Sequence, residues 1–177
     1  MDKEKKLYKS PYESYPFLSD SSNDLRCDFE LLTDEMSSHT GLLRSLVKDE
    51  SIRADLLTIC ELIYHMNPTL RTKMTITNEE ITWLLNKTEE LNSQVHDRFD
   101  KFVLTQGSTA ASHAHILRVK GKSSVRMLYR HIQNGHIVPN TLIDFANLLS
   151  GYFFLLALRL NELDGVDEIP YISRNYL

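Results

Sequence analysis

Phe102-Val103-Leu104-Thr105-Gln106-Gly107-Ser108-Thr109-Ala110-Ala111, continuing to His115 and Arg118, is the stretch on which the fold turns. It reads as the end of one helix, a glycine-bearing turn, and a long helix of small residues that presents a cation two turns in. That helix extends over about 108–133. The next begins near Pro139, a good first-turn residue, and stops near 163, before Asp164-Gly165. Upstream, Thr77-Asn78-Glu79-Glu80 is a capping box, in which the Thr side chain and the Glu three residues on satisfy each other's amides. The helix it opens carries Ile81, Leu84, Leu85 and Leu91 and reaches about residue 96. Two more helices precede it. One spans 51–66 and ends at Asn67-Pro68. The other spans 28–47, with Leu31, Leu32, Met36, Leu42, Leu43 and Leu46 as its apolar stripe. Five helices with short connections and no strand-like alternation predict an all-α five-helix bundle. Residues 1–27, rich in Ser, Tyr, Asn, Asp and Pro, read as a mobile N-terminal arm, 28–170 as the helical-bundle domain, and 171–177 as a C-terminal tail.

The chain has 177 residues, enough for one domain with a real core and too few for two ordinary ones. Hydrophobic content of 42% and charged content of 25% are those of a soluble globular protein. A net charge of −4 argues against a general nucleic-acid surface. Cys27 and Cys60 lack metal-type spacing and read as reduced thiols. No signal peptide is evident, and the longest apolar run, Tyr152 to Leu158, is too short to span a bilayer. The expectation is a cytoplasmic protein that binds neither membrane nor nucleic acid.

The run from Phe102 to Arg118 resembles, without a gap, the signature of the PduO-type ATP:corrinoid adenosyltransferases, which reads Phe-[Ile/Val]-Leu-Pro-Gly-Gly-Ser, then Ala-Ala, His and Arg. Three further pieces follow the family in order. Thr33-Asp34-Glu35-Met36-Ser37-Ser38-His39-Thr40-Gly41-Leu42 is similar to Val-Asp-Glu-Leu-Asn-Ser-x-Leu-Gly-Leu. Phe145-Ala146-Asn147-Leu148-Leu149-Ser150-Gly151-Tyr152-Phe153-Phe154 is similar to Tyr-Leu-Asn-Arg-Leu-Ser-Asp-x-Leu-Phe. Leu163-Asp164-Gly165-Val166 is similar to a closing Leu-Glu-Gly-Val. The resemblance covers about 28–170. It implies a homotrimer with active sites between subunits, cobalamin (a corrinoid) and ATP with Mg2+ as ligands, and transfer of the 5′-deoxyadenosyl group of ATP to reduced cobalt.

By the same resemblance, Asp34 and Arg118 match an ion pair across the subunit interface beside the nucleotide, and these are the catalytic candidates. Phe102 matches the aromatic that displaces the lower axial ligand of cobalt. Asn147 matches a nucleotide-contacting Asn, and Lys122 and Arg126 complete the ATP-binding set. No protein side chains are assigned to a metal. Departures stand beside these matches. The family's opening Thr-x-Thr-Gly-Asp-x-Gly-x-Thr loop, which holds the triphosphate, has no counterpart in 1–27. After Arg118 the family's Thr-x-x-Arg-Arg-x-Glu-Arg is here Val119-Lys120-Gly121-Lys122-Ser123-Ser124-Val125-Arg126. Gln106 replaces a Gly, and Gly151 replaces an Asp. A Lys is a point charge without the bidentate fork of Arg.

Taken from the residues alone, each candidate keeps a second reading. The cations of 118–126 fit a solvated helix face as well as an anion site, with Arg118 and Lys122 four apart on one face and Lys120 off it. Phe102 fits core packing at a helix–turn junction, and Asp34 an exposed acid. His113 and His115 point about 200° apart on a helix and do not share a metal ion, which leaves His115 to structural polar packing. Gly121, in mid-helix, marks either a close backbone approach or a weak point. In the arm, Lys3, Lys5, Lys6 and Lys9 interleave with Tyr8, Tyr12 and Tyr15, a pattern that fits either closure over an anionic ligand or a plain tail. Two functions remain beside each other: the adenosyltransferase, and a non-catalytic corrinoid-binding relative for storage, delivery or sensing. A scaffold that shares only the fold is the third.

Overall fold

The computed structural model describes residues 7–99 and 102–175. Its five long helices are α1 (Leu25–Leu46), α2 (Glu50–Met66), α3 (Asn78–Val95), α4 (Thr109–Gln133) and α5 (Asn140–Leu163). Local sequence sets their ends. Asp24, Asp49, Thr77 and Ser108 cap α1 to α4 by accepting from backbone amides of the first turn, and the Thr77–Glu80 box is reciprocal. Gly165, at φ +68°, follows α5 in the left-handed conformation that ends helices.

α4 packs along α5 and α1, while α1 also packs on α2 and α3 on α5. The core is centred on α5, which buries Phe145, Leu149, Tyr152, Phe153 and Leu156 together. α5 is long and apolar enough to cross a membrane by length and composition, contrary to the expectation from its longest uninterrupted run. Yet 61% of that apolar window is buried inside the bundle. A helix that is apolar on every side is what a central position requires.

The inward face of α1 differs from the predicted stripe. Phe29, Met36 and Leu43 are buried, but Leu31, Leu42 and Leu46 are exposed, and their inward places are taken by Thr33, Ser37 and Thr40. Thr33 and Thr40 donate to the carbonyls of Phe29 and Met36, both at 2.8 Å, so small polar side chains line a close helix contact without an unpaired hydroxyl.

Gly121 is a close approach. A Cβ there would lie 3.1 Å from the Ser150 Cβ and 3.2 Å from its Cα and N, so α4 and α5 touch backbone to backbone. Ser150 also donates to the Arg118 carbonyl at 3.1 Å. Gly121→Ala gains helix propensity of about 1 kcal/mol but overpacks by about 1–3 kcal/mol, so a net loss of up to about 2 kcal/mol is expected in chemical denaturation.

The arm ends earlier than 27, because α1 begins at Leu25, and within 7–24 Tyr15, Phe17 and Asp20 have partners on the bundle. Arg71 donates to Glu30 (2.6 Å) and Asp20 (2.8 Å), and its guanidinium stacks 3.6 Å from the centre of the Phe17 ring. Tyr15 donates to Glu30 at 2.5 Å, and its phenol is pushed up to about 12 by burial and by that carboxylate. Lys3, Lys5 and Lys6 lie outside the described residues.

Candidate functional site

Three cavities meet the candidate residues, and the turn after α3 joins two of them. Gly107 (φ +139°) leaves no room for a side chain, because a Cβ would fall 1.9 Å from the Asn161 Oδ1. Asn161, fully buried in α5, accepts from the Ser108 amide (3.0 Å) and donates to the Gln106 carbonyl (3.1 Å) and the Glu168 carboxylate (3.2 Å). The turn is also zipped to the segment after α5. Leu104 N donates to Ile169 O and Tyr171 N to Phe102 O, both at 2.8 Å, around a Val103–Pro170 bridge. Pinned this way, the turn gives Phe102 to a 310 Å³ cavity shared with Arg98 and Glu168, and Thr105 to a 410 Å³ cavity along α4. Phe102 is 72% exposed, so the core-packing reading of this ring fails.

The second cavity holds Arg118, with Leu32 of α1 and His115, Ile116, Val119 and Lys120 of α4. The Arg118 Nε is buried with no partner, and no carboxylate within the described chain pairs with this side chain. His115 is 3% exposed and neither ring nitrogen has a partner, so the polar packing expected of it is not what the structure shows. Burial, and after it the charge of Arg118, hold its imidazole at a pKa of about 4. Lys120 sits 2.6 Å from Glu35, whose carboxyl its ammonium holds below the usual range.

This reverses the expected pairing of cations. Glu35 draws Lys120 into the cavity lining beside Arg118, whereas Lys122 and Arg126 are exposed and outside that lining. His113 meets His39 of α1, Nε2 to Nδ1 at 3.0 Å, and so turns away from His115.

Asp34 lies in the third cavity, of 540 Å³, under the N-terminal segment, with Tyr15, Leu18, Leu31 and Tyr64. Tyr64 donates to Asp34 at 3.1 Å, a bond that raises the phenol's pKa. Asp34 and Arg118 are thus not brought together within one chain. Asn147 is exposed on α5 and donates back to the Ile143 carbonyl at 2.9 Å. Among the described residues, no group of three His, Cys, Asp or Glu side chains is placed to hold a metal ion.

Sequence reasoning missed Asn161, although a lone Asn inside the apolar run of α5 was a visible signal. It also missed Lys120, whose place depends on a partner in another helix, and the place of His115 in the lining of the Arg118 cavity.

The all-helical bundle is similar in fold to solved structures of a PduO-type ATP:corrinoid adenosyltransferase from Lactobacillus reuteri. A phenylalanine-to-alanine variant complexed with cobalamin and ATP is 23% identical, with TM-score 0.75 over 85% of this chain and 88% of that one. An arginine-to-lysine variant complexed with ATP is 25% identical, with TM-score 0.73 over 85% and 88%. The family described as cobalamin adenosyltransferase matches residues 21–160, and the chain belongs to that family. A curated relative, the corrinoid adenosyltransferase of Bacillus subtilis (strain 168), is 26% identical over 158 residues, 84% of this chain and 81% of the relative.

Proposed function

We propose that this chain is a corrinoid adenosyltransferase acting on ATP and a reduced corrinoid. Cobalt(I) supplies the electron pair that forms the bond to C5′ of ATP, the C5′–O bond breaks, and its pair leaves with triphosphate. The observation that carries this reading is the Arg118 cavity in a chain of this family: a half-buried cation, unpaired among the described residues, in register with the Phe102 turn.

The chain's task is to favour the nucleophile and to neutralise the leaving group. Phe102, held out at the edge of its cavity, would displace the lower axial ligand of cobalt. Arg118 would face the nucleotide and pair with Asp34 of another copy. Asn147, Lys122 and Arg126, all solvent-facing, would reach ATP only as part of a site completed by that copy. Mg2+ would enter on the triphosphate, since no protein cage for it stands among the described residues. Outward-facing Leu31, Leu42 and Leu46 on α1 support assembly as a homotrimer, because a monomer leaves them in water. The unpaired thiols of Cys27 and Cys60 suit the cytoplasm.

One observation favours a second reading, a corrinoid binder without ATP chemistry. The segment over Asp34 supplies Ser14, Tyr15 and Leu18 to its cavity, and among the described residues of the lining there is no cation for a phosphate chain. The test is an anaerobic assay with chemically reduced cobalamin, ATP and magnesium, followed by the light-sensitive adenosylcobalamin spectrum. Product is expected. A base-off shift of the cob(II)alamin spectrum without product would establish the second reading instead.

A further inference from the structure

We propose that His115 is a ligand-contacting residue of the Arg118 cavity, where its ring N–H and the Arg118 guanidinium together hold an anionic oxygen of the phosphate class. The inference rests on the proposed function for the identity of that ligand as the phosphate chain of ATP.

His115 is 97% buried, counting from its 3% exposure, yet Nδ1 and Nε2 both lack a partner, and the Nε of Arg118, three residues on, is in the same condition. Buried polar groups in folded proteins are nearly always paired, because an unpaired one costs folding free energy. Two such groups one helical turn apart, lining one cavity, point to a shared partner outside the described residues, and the Arg118 fork has N–H groups for such a ligand as well as for Asp34 of another copy.

The lining also says which partner. Arg118 offers only donors, the ammonium of Lys120 keeps N–H groups beyond the one on Glu35, and the Thr105 hydroxyl can donate, while Ser112 and Ser123 donate to the Gly107 and Val119 carbonyls. The imidazole adds one N–H, and it stays uncharged beside Arg118, since burial and that charge both oppose protonation. A ring that does not charge adds a directed donor without repelling the guanidinium next to it. A donor-rich, cationic concavity of this kind suits an acceptor-rich anion.

The experiment is titration calorimetry of the full chain with inorganic tripolyphosphate and with Mg-ATP, alongside thermal melts without ligand. His115→Phe fills the same space, removes both unpaired nitrogens, and is expected to raise Tm by about 2–4 °C while weakening both ligands about 10–100-fold. His115→Gln, which keeps an N–H, is expected to recover part of the affinity. A purely structural histidine would behave in the opposite way, with a lower Tm and unchanged affinity in His115→Phe, and that result overturns the inference. If Arg118→Ala weakens tripolyphosphate but His115→Phe does not, His115 is no contact and the proposed function stands. If the unaltered chain binds neither probe, both fall.

Discussion

Arg118→Ala is expected to slow adenosyl transfer by about 100- to 1000-fold in kcat, the usual cost of removing one aimed donor from developing negative charge. The leaving triphosphate gathers charge as the C5′–O bond breaks, so the interaction is stronger in the transition state than before it. Arg118 suits that role because no carboxylate among the described residues competes for it. Its carbonyl is fixed by Ser150, its Nε is buried without a partner, and the nearby Glu35 is taken by Lys120. Initial rates under anaerobic conditions, with thermal melts as a control, measure the effect. The melts are read beside the rates because the truncation also removes the proposed pairing with Asp34 of another copy. Arg118→Lys is expected to recover part of the rate, because it restores charge without the planar fork. Unchanged kcat in Arg118→Ala would remove the residue from the reaction.

The second large effect falls on stability. Arg71→Met leaves the Glu30 carboxylate, 4% exposed, without its guanidinium and is expected to cost about 3–5 kcal/mol. The same change frees Asp20 and removes the stacking on Phe17, so the N-terminal segment comes away from α1. Urea denaturation measures the loss. Adding Glu30→Gln to Arg71→Met should restore much of it, because an amide tolerates burial beside Tyr15 where a lone carboxylate does not. Equal stability of Arg71→Met and the unaltered chain would show that the segment contributes nothing to folding. Corrinoid spectra on the variant would then report whether the segment matters to ligand binding.

Much of the bundle was legible because helix signals are local. The Thr77 capping box, Ser108, Pro139 and Asp164-Gly165 bound their helices close to where the sequence puts them. The family, too, was legible, through one ungapped run and three ordered pieces. What could not be read was the rotation of α1, because Thr33 and Thr40 hide their polarity by bonding their own backbone, and the leucines were ranked inward on apolarity alone. The contacts of the arm were not legible for a related reason. Its low apolar content suggested mobility, but one arginine from beyond α2 gathers Phe17, Asp20 and Glu30 around itself. The candidate site was legible in part. The family register singled out Arg118, but His115 was read as structural packing, and whether Lys120 or Lys122 stood beside Arg118 depended on Glu35, which spacing along α4 does not reveal.

The pairing of 102–104 with 169–171 has a consequence in time. Chains emerge from the ribosome N-terminal end first. α1 to α4 can begin to associate while α5 is still being made, but the Phe102 turn cannot set. Its carbonyl at Gln106 and amide at Ser108 wait for Asn161, and its edge waits for Ile169 and Tyr171. The turn that carries Phe102 is therefore among the last parts of the molecule to take shape, and a nascent chain stalled before residue 171 would hold a nearly complete bundle with no finished place for its substrate.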